Sequence, residues 1–313
     1  MTSGFVYSDD NKRYYTHNYY LRHKYGKKAF KVPINLGLSC PNRDGTKGIG
    51  GCSFCSGNLS GDFAGNPADS VEKQFETVKA VLHKKWRDAY YIPYFQAGSN
   101  TYASLERLIP AFEKAASFEN AVGINIATRA DCITDECADY LKTLSQKTDL
   151  EVELGLQTAN DKTAERINRC HSLDEFIEGY EKLKSRGIDV CIHIINGLPG
   201  ETKEDMLNTA REVARLSPHS VKIHLLHIIK GTRLSDEFLR GDFPEMSMKD
   251  YVNTVCDQLE ILPKNIIIAR VTGDGKKETL VAPLWSLKKF CVMNEIDKEM
   301  LARGAFQGDR SEA

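Results

Sequence analysis

Hydrophobic positions along the chain recur with two periods in turn. Strand-like apolar runs fall at residues 32–38, 90–97, 121–128, 150–157, 189–195 and 221–228, where side chains repeat every second residue. Between them the spacing becomes helical. At 68–86 the stripe is Val71, Phe75, Val78, Val81 and Leu82, with Asp69 or Ser70 placed to cap its start. Helices also fit 105–118, 134–143, 162–169 with 173–186, and 203–216, the last with Thr202 as its cap. Strand–helix alternation predicts a parallel sheet, either doubly wound or rolled.

Side-chain parity separates these two. Glu153, Gly155 and Gln157 share one face of their strand while Val152, Leu154 and Leu156 share the other. In the same way Asn125 and Arg129 oppose Ile124 and Ile126, Cys191 and His193 oppose Ile192 and Ile194, and Lys222 and His224 oppose Val221 and Ile223. A sheet covered by helices on both sides is apolar on both. Four consecutive strands with one polar face therefore predict a partial (β/α)6 barrel of parallel strands, helices outside and a polar cavity inside. From about residue 241 the pattern changes. Helical spacing at Tyr251, Val255, Leu259 and Ile261 precedes a strand-like 266–271, then T-G-D-G-K-K and a helix holding Trp285, Lys288 and Lys289. Three regions are expected: an N-terminal arm at 1–31, the barrel at 32–240, and a C-terminal α+β extension at 241–313 that closes the open side.

Composition narrows the class. The chain has 313 residues, a formal net charge of −1 and nine cysteines. Length permits a large core, and near-zero charge makes no global case for nucleic acid. An odd cysteine count, no apolar leader and no apolar run of membrane-spanning length lead us to expect a cytoplasmic protein with reduced thiols and no membrane partner. One local bias stands out. Residues 11–31 carry Lys12, Arg13, Arg22, Lys24, Lys27, Lys28 and Lys31 without an acid, interleaved with five tyrosines. Such a segment can hold RNA through phosphate charge and base stacking, or pack its rings on the domain and leave its lysines in water.

The most informative stretch is L-G-L-S-C-P-N-R-D-G-T-K-G-I-G-G-C-S-F-C at 36–55, directly after the first strand. Its glycines allow Cys40, Cys52 and Cys55 to reach one centre. The Cys52/Cys55 spacing suits iron–sulfur, zinc or a redox pair. Structural zinc calls for four ligands and a redox pair for two. Three cysteines leave one position of a four-iron cluster open to substrate. The other six, Cys132, Cys137, Cys170, Cys191, Cys256 and Cys291, are scattered and read as small hydrophobes.

This loop resembles the cluster loop of the radical S-adenosylmethionine (radical SAM) enzymes, with Phe54 as the aromatic before the last cysteine. Its stretched first spacing, eleven residues between Cys40 and Cys52, resembles the subgroup near the radical SAM domain of the Elongator catalytic subunit. Later segments agree in order: T-R-A-D at 128–131, E-L-G-L-Q-T at 153–158 followed by R-I-N-R at 166–169, and G-L-P-G-E-T at 197–202. The E-L-G-L-Q-T segment is also similar to oxygen-independent coproporphyrinogen dehydrogenases.

The resemblance implies a 4Fe-4S cluster on the three cysteines and S-adenosylmethionine beside it. By it, Phe54 lies at the cofactor, Gly98, Ser99 and Asn100 meet the methionine amino group, and Gln157 and Glu153 meet the ribose. Arg169 would take the methionine carboxylate, for which a guanidinium fork is suited, and His193 would contact the cofactor. Two departures are visible: no acid stands in 98–101, and Ala127 occupies a place that is often acidic. Substrate contacts are expected from Arg129, Lys222, His224 and Trp285, with Arg129 also able to pair locally with Asp131.

The implied activity is reductive cleavage of S-adenosylmethionine and hydrogen abstraction, with an electron from a flavodoxin- or ferredoxin-type donor. The implied substrate is the wobble uridine of tRNA. With no acetyltransferase segment and no second cysteine cluster, remodelling of an existing uridine side chain fits better than acetyl transfer or sulfur insertion. A small-molecule radical enzyme related to coproporphyrinogen oxidation is the alternative. A zinc-stabilised RNA-binding protein is the alternative outside enzymes.

Overall fold

The computed structural model describes residues 2–59, 61 and 63–311. Helix α1 (His17–Tyr25) leads into β1 (Ala29–Ile34), and α2 (Val71–Lys85) into β2 (Tyr90–Phe95). Next come α3 (Leu105–Ala116), β3 (Gly123–Thr128), α4 (Asp135–Ser145) and β4 (Asp149–Gln157). The short α5 (Asp161–Arg166), then α6 (Leu173–Lys184), β5 (Asp189–Asn196), α7 (Lys203–Leu216) and β6 (Ser220–Leu225) complete the regular alternation. Beyond it lie β7 (Ile228–Ile229), α8 (Arg233–Leu239), α9 (Met248–Ile261), β8 (Ile267–Arg270), β9 (Leu280–Ala282) and α10 (Lys289–Ala302).

The main sheet is parallel and runs β1-β2-β3-β4-β5-β6-β8. It is a curled half-barrel with helices outside, as the parity of the strands requires. Ile124, Ile126, Val152, Leu154, Ile192, Ile194, Val221 and Ile223 face outward and are at most 1% exposed beneath the helices. Local signals set the helix starts: Ser70 accepts from the Lys73 amide, Thr134 from Cys137, and Thr202 forms a reciprocal capping box with Asp205.

The sheet differs from the expected six strands in two ways. The first strand begins at Ala29, so the end of the basic segment lies inside the sheet. The strand expected at 266–271 is not part of an appendage, because β8 pairs with β6 as a seventh member. The open seam between β1 and β8 is spanned from the N-terminal side. Thr16 bridges Ile268, the Ile268 amide donates to the Tyr15 carbonyl at 2.8 Å, and α1 lies against both edge strands. Among the described residues, no helix is long and apolar enough to cross a membrane.

Candidate active site

A cavity of about 680 Å³ opens at the C-terminal ends of the strands, the size and place usual for a ligand site in a barrel. Cys40, Cys52 and Cys55 all line it, and none is joined in a disulfide. The loop that carries them is held by its own turns and by the α5–α6 connection. Arg43 and Cys55 donate their amides to the carbonyls of Cys40 and Cys52, and the Ser53 amide donates to Ile167 at 2.8 Å. Asn42 Nδ2 lies 2.5 Å from the Asn168 carbonyl and 3.5 Å from Cys52 Sγ, while Asn168 Nδ2 returns a bond to Gly51 at 2.8 Å.

Desolvation pushes the Cys52 thiol up to about 12, and the neighbouring Cys55 adds to that. It stays protonated until a cation displaces the proton, as thiolate metal sites do on loading. Among the described residues no three His, Cys, Asp or Glu side chains already converge tightly enough to hold a metal ion. The loop presents three sulfurs to one cavity, with no imidazole or carboxylate of the described residues gathered among them. That donor set fits an iron–sulfur group held by three thiolates.

The opposite wall is shaped by two strand ends. Gly98 (φ +75°) follows β2, and a Cβ there would lie 2.5 Å from the Leu38 carbonyl, so only glycine lets this turn meet the start of the cysteine loop. Gln157 ends β4 at φ +62°, after a register shift between Gly155 and Gln157. Its amide folds back over Gly155, where a Cβ would come within 2.3 Å of Gln157 Nε2. A non-glycine residue held in the left-handed region at a cavity wall is strain of the kind kept at functional sites.

The floor is a closed network of charges. Glu153 accepts from Tyr94 Oη at 2.6 Å, Lys31 Nζ at 2.6 Å, His193 Nε2 at 2.8 Å, and also from Lys222. Asn125 joins Glu153 at 3.0 Å to Glu151 at 2.6 Å, and Glu151 takes Ser220 at 2.6 Å. Burial alone would raise the Glu153 pKa, but Lys222 and Lys31 beside it hold the carboxyl well below the usual range. Burial pushes His193 down to about 4 and Lys222 adds to that. His193 is thus a neutral ring that donates to a carboxylate.

Of the expected site residues, the cavity gathers Cys40, Cys52, Cys55, Phe54, Gly98, Ser99, Gln157, Glu153, His193, Arg129, Lys222 and His224. Three are not brought to it. The Arg169 guanidinium is buried on backbone carbonyls, Thr158 at 2.6 Å and His171 at 3.0 Å together with Leu156. It braces the end of β4 and, so engaged, offers no fork to a carboxylate in the cavity. Asn100 is fully buried with its Nδ2 on Phe95 and Ala127, and Trp285 packs on Tyr251 while donating to the Met246 carbonyl. Arg129 is fixed by both Asp131 oxygens at 2.8 Å and by the Arg169 carbonyl, so at the cavity wall it is a paired residue that shapes the turn.

The basic N-terminal segment is also engaged within the chain. Lys24 meets Asp149 at 2.9 Å, Lys27 meets Asp88 at 2.6 Å, and Lys28 sits 3.4 Å over the Trp86 ring. Its Tyr15 meets Tyr19 and Tyr20 edge-on and stacks on Tyr7 at 4.3 Å, and Tyr20 meets His219. Cavity residues missed by sequence reasoning include Tyr94, Gln96, His171 and His227. Strand parity would have supplied Tyr94 and Gln96. His171 and His227 stand in irregular segments, where no period points a side chain.

With this geometry in view, the comparisons with known proteins are specific. Residues 34–213 match the Radical SAM superfamily model and residues 218–302 the Radical_SAM C-terminal domain. The YtqA protein of Bacillus subtilis strain 168 is 49% identical over 304 residues, covering 97% of this chain and 94% of that one. The tRNA uridine(34) acetyltransferase of Methanocaldococcus jannaschii is 28% identical over 173 residues, covering 51% of this chain and 32% of that protein. Among solved structures, Methanocaldococcus infernus Elp3 with an N-terminal deletion overlays with a TM-score of 0.66 at 19% identity, covering 90% of this chain and 64% of that chain. With more than half of its length inside the first of those models, the chain belongs to the radical SAM superfamily.

Proposed function

We propose that this radical SAM enzyme acts on the wobble uridine of tRNA, remodelling a side chain that the base already carries. What supports the reading is the resemblance, in one order, of the stretched cysteine loop, T-R-A-D and G-L-P-G-E-T to the radical SAM domain of the Elongator catalytic subunit. The likeness to a tRNA uridine(34) acetyltransferase over 173 residues supports it.

Members of the superfamily use a 4Fe-4S cluster and S-adenosylmethionine. Bound here, these supply reductive cleavage of the sulfonium bond and a carbon-centred radical that takes hydrogen from the substrate. The chain's own part is to hold and to exclude. Cys40, Cys52 and Cys55 would hold the iron, and Gly98, Ser99 and Gln157 would orient the nucleoside and amino-acid ends of the cofactor. The Glu153 network would keep the floor of the cavity rigid and its protons fixed. A flavodoxin- or ferredoxin-type donor would supply the electron.

The test incubates the iron-reconstituted protein without oxygen with S-adenosylmethionine, reductant and tRNA from cells lacking the gene, then digests the tRNA for mass spectrometry. A mass change confined to the wobble nucleoside, with 5′-deoxyadenosine formed in step, is expected. Formation of 5′-deoxyadenosine at the same rate with and without tRNA, with the wobble nucleoside unchanged, would overturn the reading.

A further inference from the structure

Away from the cysteines, the cavity ends in a group of side chains to which the cofactor reading gives no task. His224 and His227 stand at and just beyond the end of β6, and both line the cavity. Among the described residues, the Nε2 atoms of both rings are buried and have no hydrogen-bond partner. Such an atom is costly to leave unpaired, and because both rings border the cavity, a ligand that a turn of either ring could meet would complete them.

The rings are held, not loose. His224 lies 5.2 Å from the His193 ring, centroid to centroid. The T-G-D-G turn after β8 closes over His227 so tightly that a Cβ on Gly273 would lie 2.7 Å from its Cε1. Burial lowers the pKa of both rings, His227 to about 4, and the nearby Arg270 charge lowers both further. Both are neutral, and with the proton on Nε2 each donates one hydrogen bond.

The charges beside them do not cancel. Asp274, in the same turn, pairs with Arg270 at 3.0 Å and with Lys289 at 2.7 Å. Two cations thus share one carboxylate, and all three groups line the cavity. Among the described residues, Lys222 and Lys31 at the floor are matched by Glu153 and Glu151, so the excess positive charge lies at the histidine end. Two neutral rings that can donate from Nε2, beside one surplus cation, fit a group with a single negative charge and several acceptor oxygens.

We propose that His224, His227 and Arg270, with Lys289 at the rim, form an anion subsite that holds a carboxylate or phosphodiester group of the substrate. This deepens the reading above and rests on the cavity being the substrate chamber. It does not depend on the substrate being tRNA. A carboxylate would come from the side chain under modification, a phosphodiester from a polynucleotide backbone.

The experiment follows propionate, dimethyl phosphate and the neutral propionamide by saturation-transfer NMR on the full-length, cluster-reconstituted protein. At least one anion is expected to bind tenfold or more tightly than propionamide. Preference for propionate assigns the side-chain source and preference for dimethyl phosphate the backbone source. Arg270→Gln removes the preference and Arg270→Lys keeps most of it. Lys289→Gln, at a half-exposed rim position, weakens it a few-fold with the fold intact. Equal binding of all three probes, or a preference that survives Arg270→Gln, overturns the subsite. Because the probes carry no base, the subsite stands or falls separately from the tRNA assignment.

Discussion

Glu153 on β4 and Lys222 on β6 meet in direct contact across β5, with Glu153 fully buried and Lys222 nearly so. Two lysines, a tyrosine and a histidine converge on the one carboxylate. Removing it leaves Lys222 buried without a carboxylate and Lys31 with only Glu151 at 3.5 Å. Glu153→Ala is expected to destabilise the protein by about 3–5 kcal/mol, the usual cost of breaking a buried pair from one side. Urea denaturation checks this, and a loss under 1 kcal/mol would show that the network does not hold the barrel floor.

The cysteines separate by place. Cys40→Ala, Cys52→Ala and Cys55→Ala each remove a sulfur from the cavity wall and are expected to abolish the cluster. Cys256→Ala, whose thiol is buried on the Ile296 carbonyl between α9 and α10, is expected to leave it intact. Iron and sulfide content, with electron paramagnetic resonance before and after S-adenosylmethionine, reads the difference. A full cluster in any of the first three would refute the ligand assignment.

Gly98 gives a prediction about shape. A methyl group there would press on the Leu38 carbonyl in a left-handed turn. Gly98→Ala is expected to cost about 1–3 kcal/mol as overpacking and to lower iron retention by displacing the start of the cysteine loop. Thermal unfolding and metal analysis on the same sample test both parts. A normal melting temperature with normal iron would show that the turn yields freely.

Glu201, in the turn before α7, carries a pH dependence. Its carboxyl is pushed up to about 7, chiefly by burial, while it accepts from Thr158 Oγ1 and Asp205 adds repulsion. An acid with a raised folded-state pKa contributes stability that is complete below about 4.5, the unfolded value, and is lost as pH rises through about 7. Stability of the native protein relative to Glu201→Gln is therefore expected to fall across that interval and level off above it. A difference in melting temperature that is flat from pH 4.5 to pH 8 would contradict the protonated assignment.

Much of this was legible in the chain because the sheet has one polar and one apolar face. Period-two alternation in β3 to β6 placed Glu153, His193, Lys222 and His224 in the interior, where they line the cavity, with Asn125 bonded to Glu153 beneath it. Parity says which way a side chain points and not what it meets. Arg169 had the residue type and spacing for an anion, but it lies in an irregular turn where three carbonyls reach it first. The strand 267–270 was visible as a strand, whereas its partner was not. Pairing with β6 across α9 is a long-range contact that no local pattern encodes.

The bonds between the cysteine loop and the α5–α6 connection determine how the protein would meet its iron. Asn42 to Asn168, Asn168 to Gly51, and Ser53 to Ile167 are contacts between protein groups alone. They fasten the loop at both ends to the segment that also carries Arg169. Cluster delivery is then a docking event on a folded receiver, with the backbone ordering cost met during folding. Unlike a small zinc domain, this protein would survive chelation as a folded, refillable apoprotein.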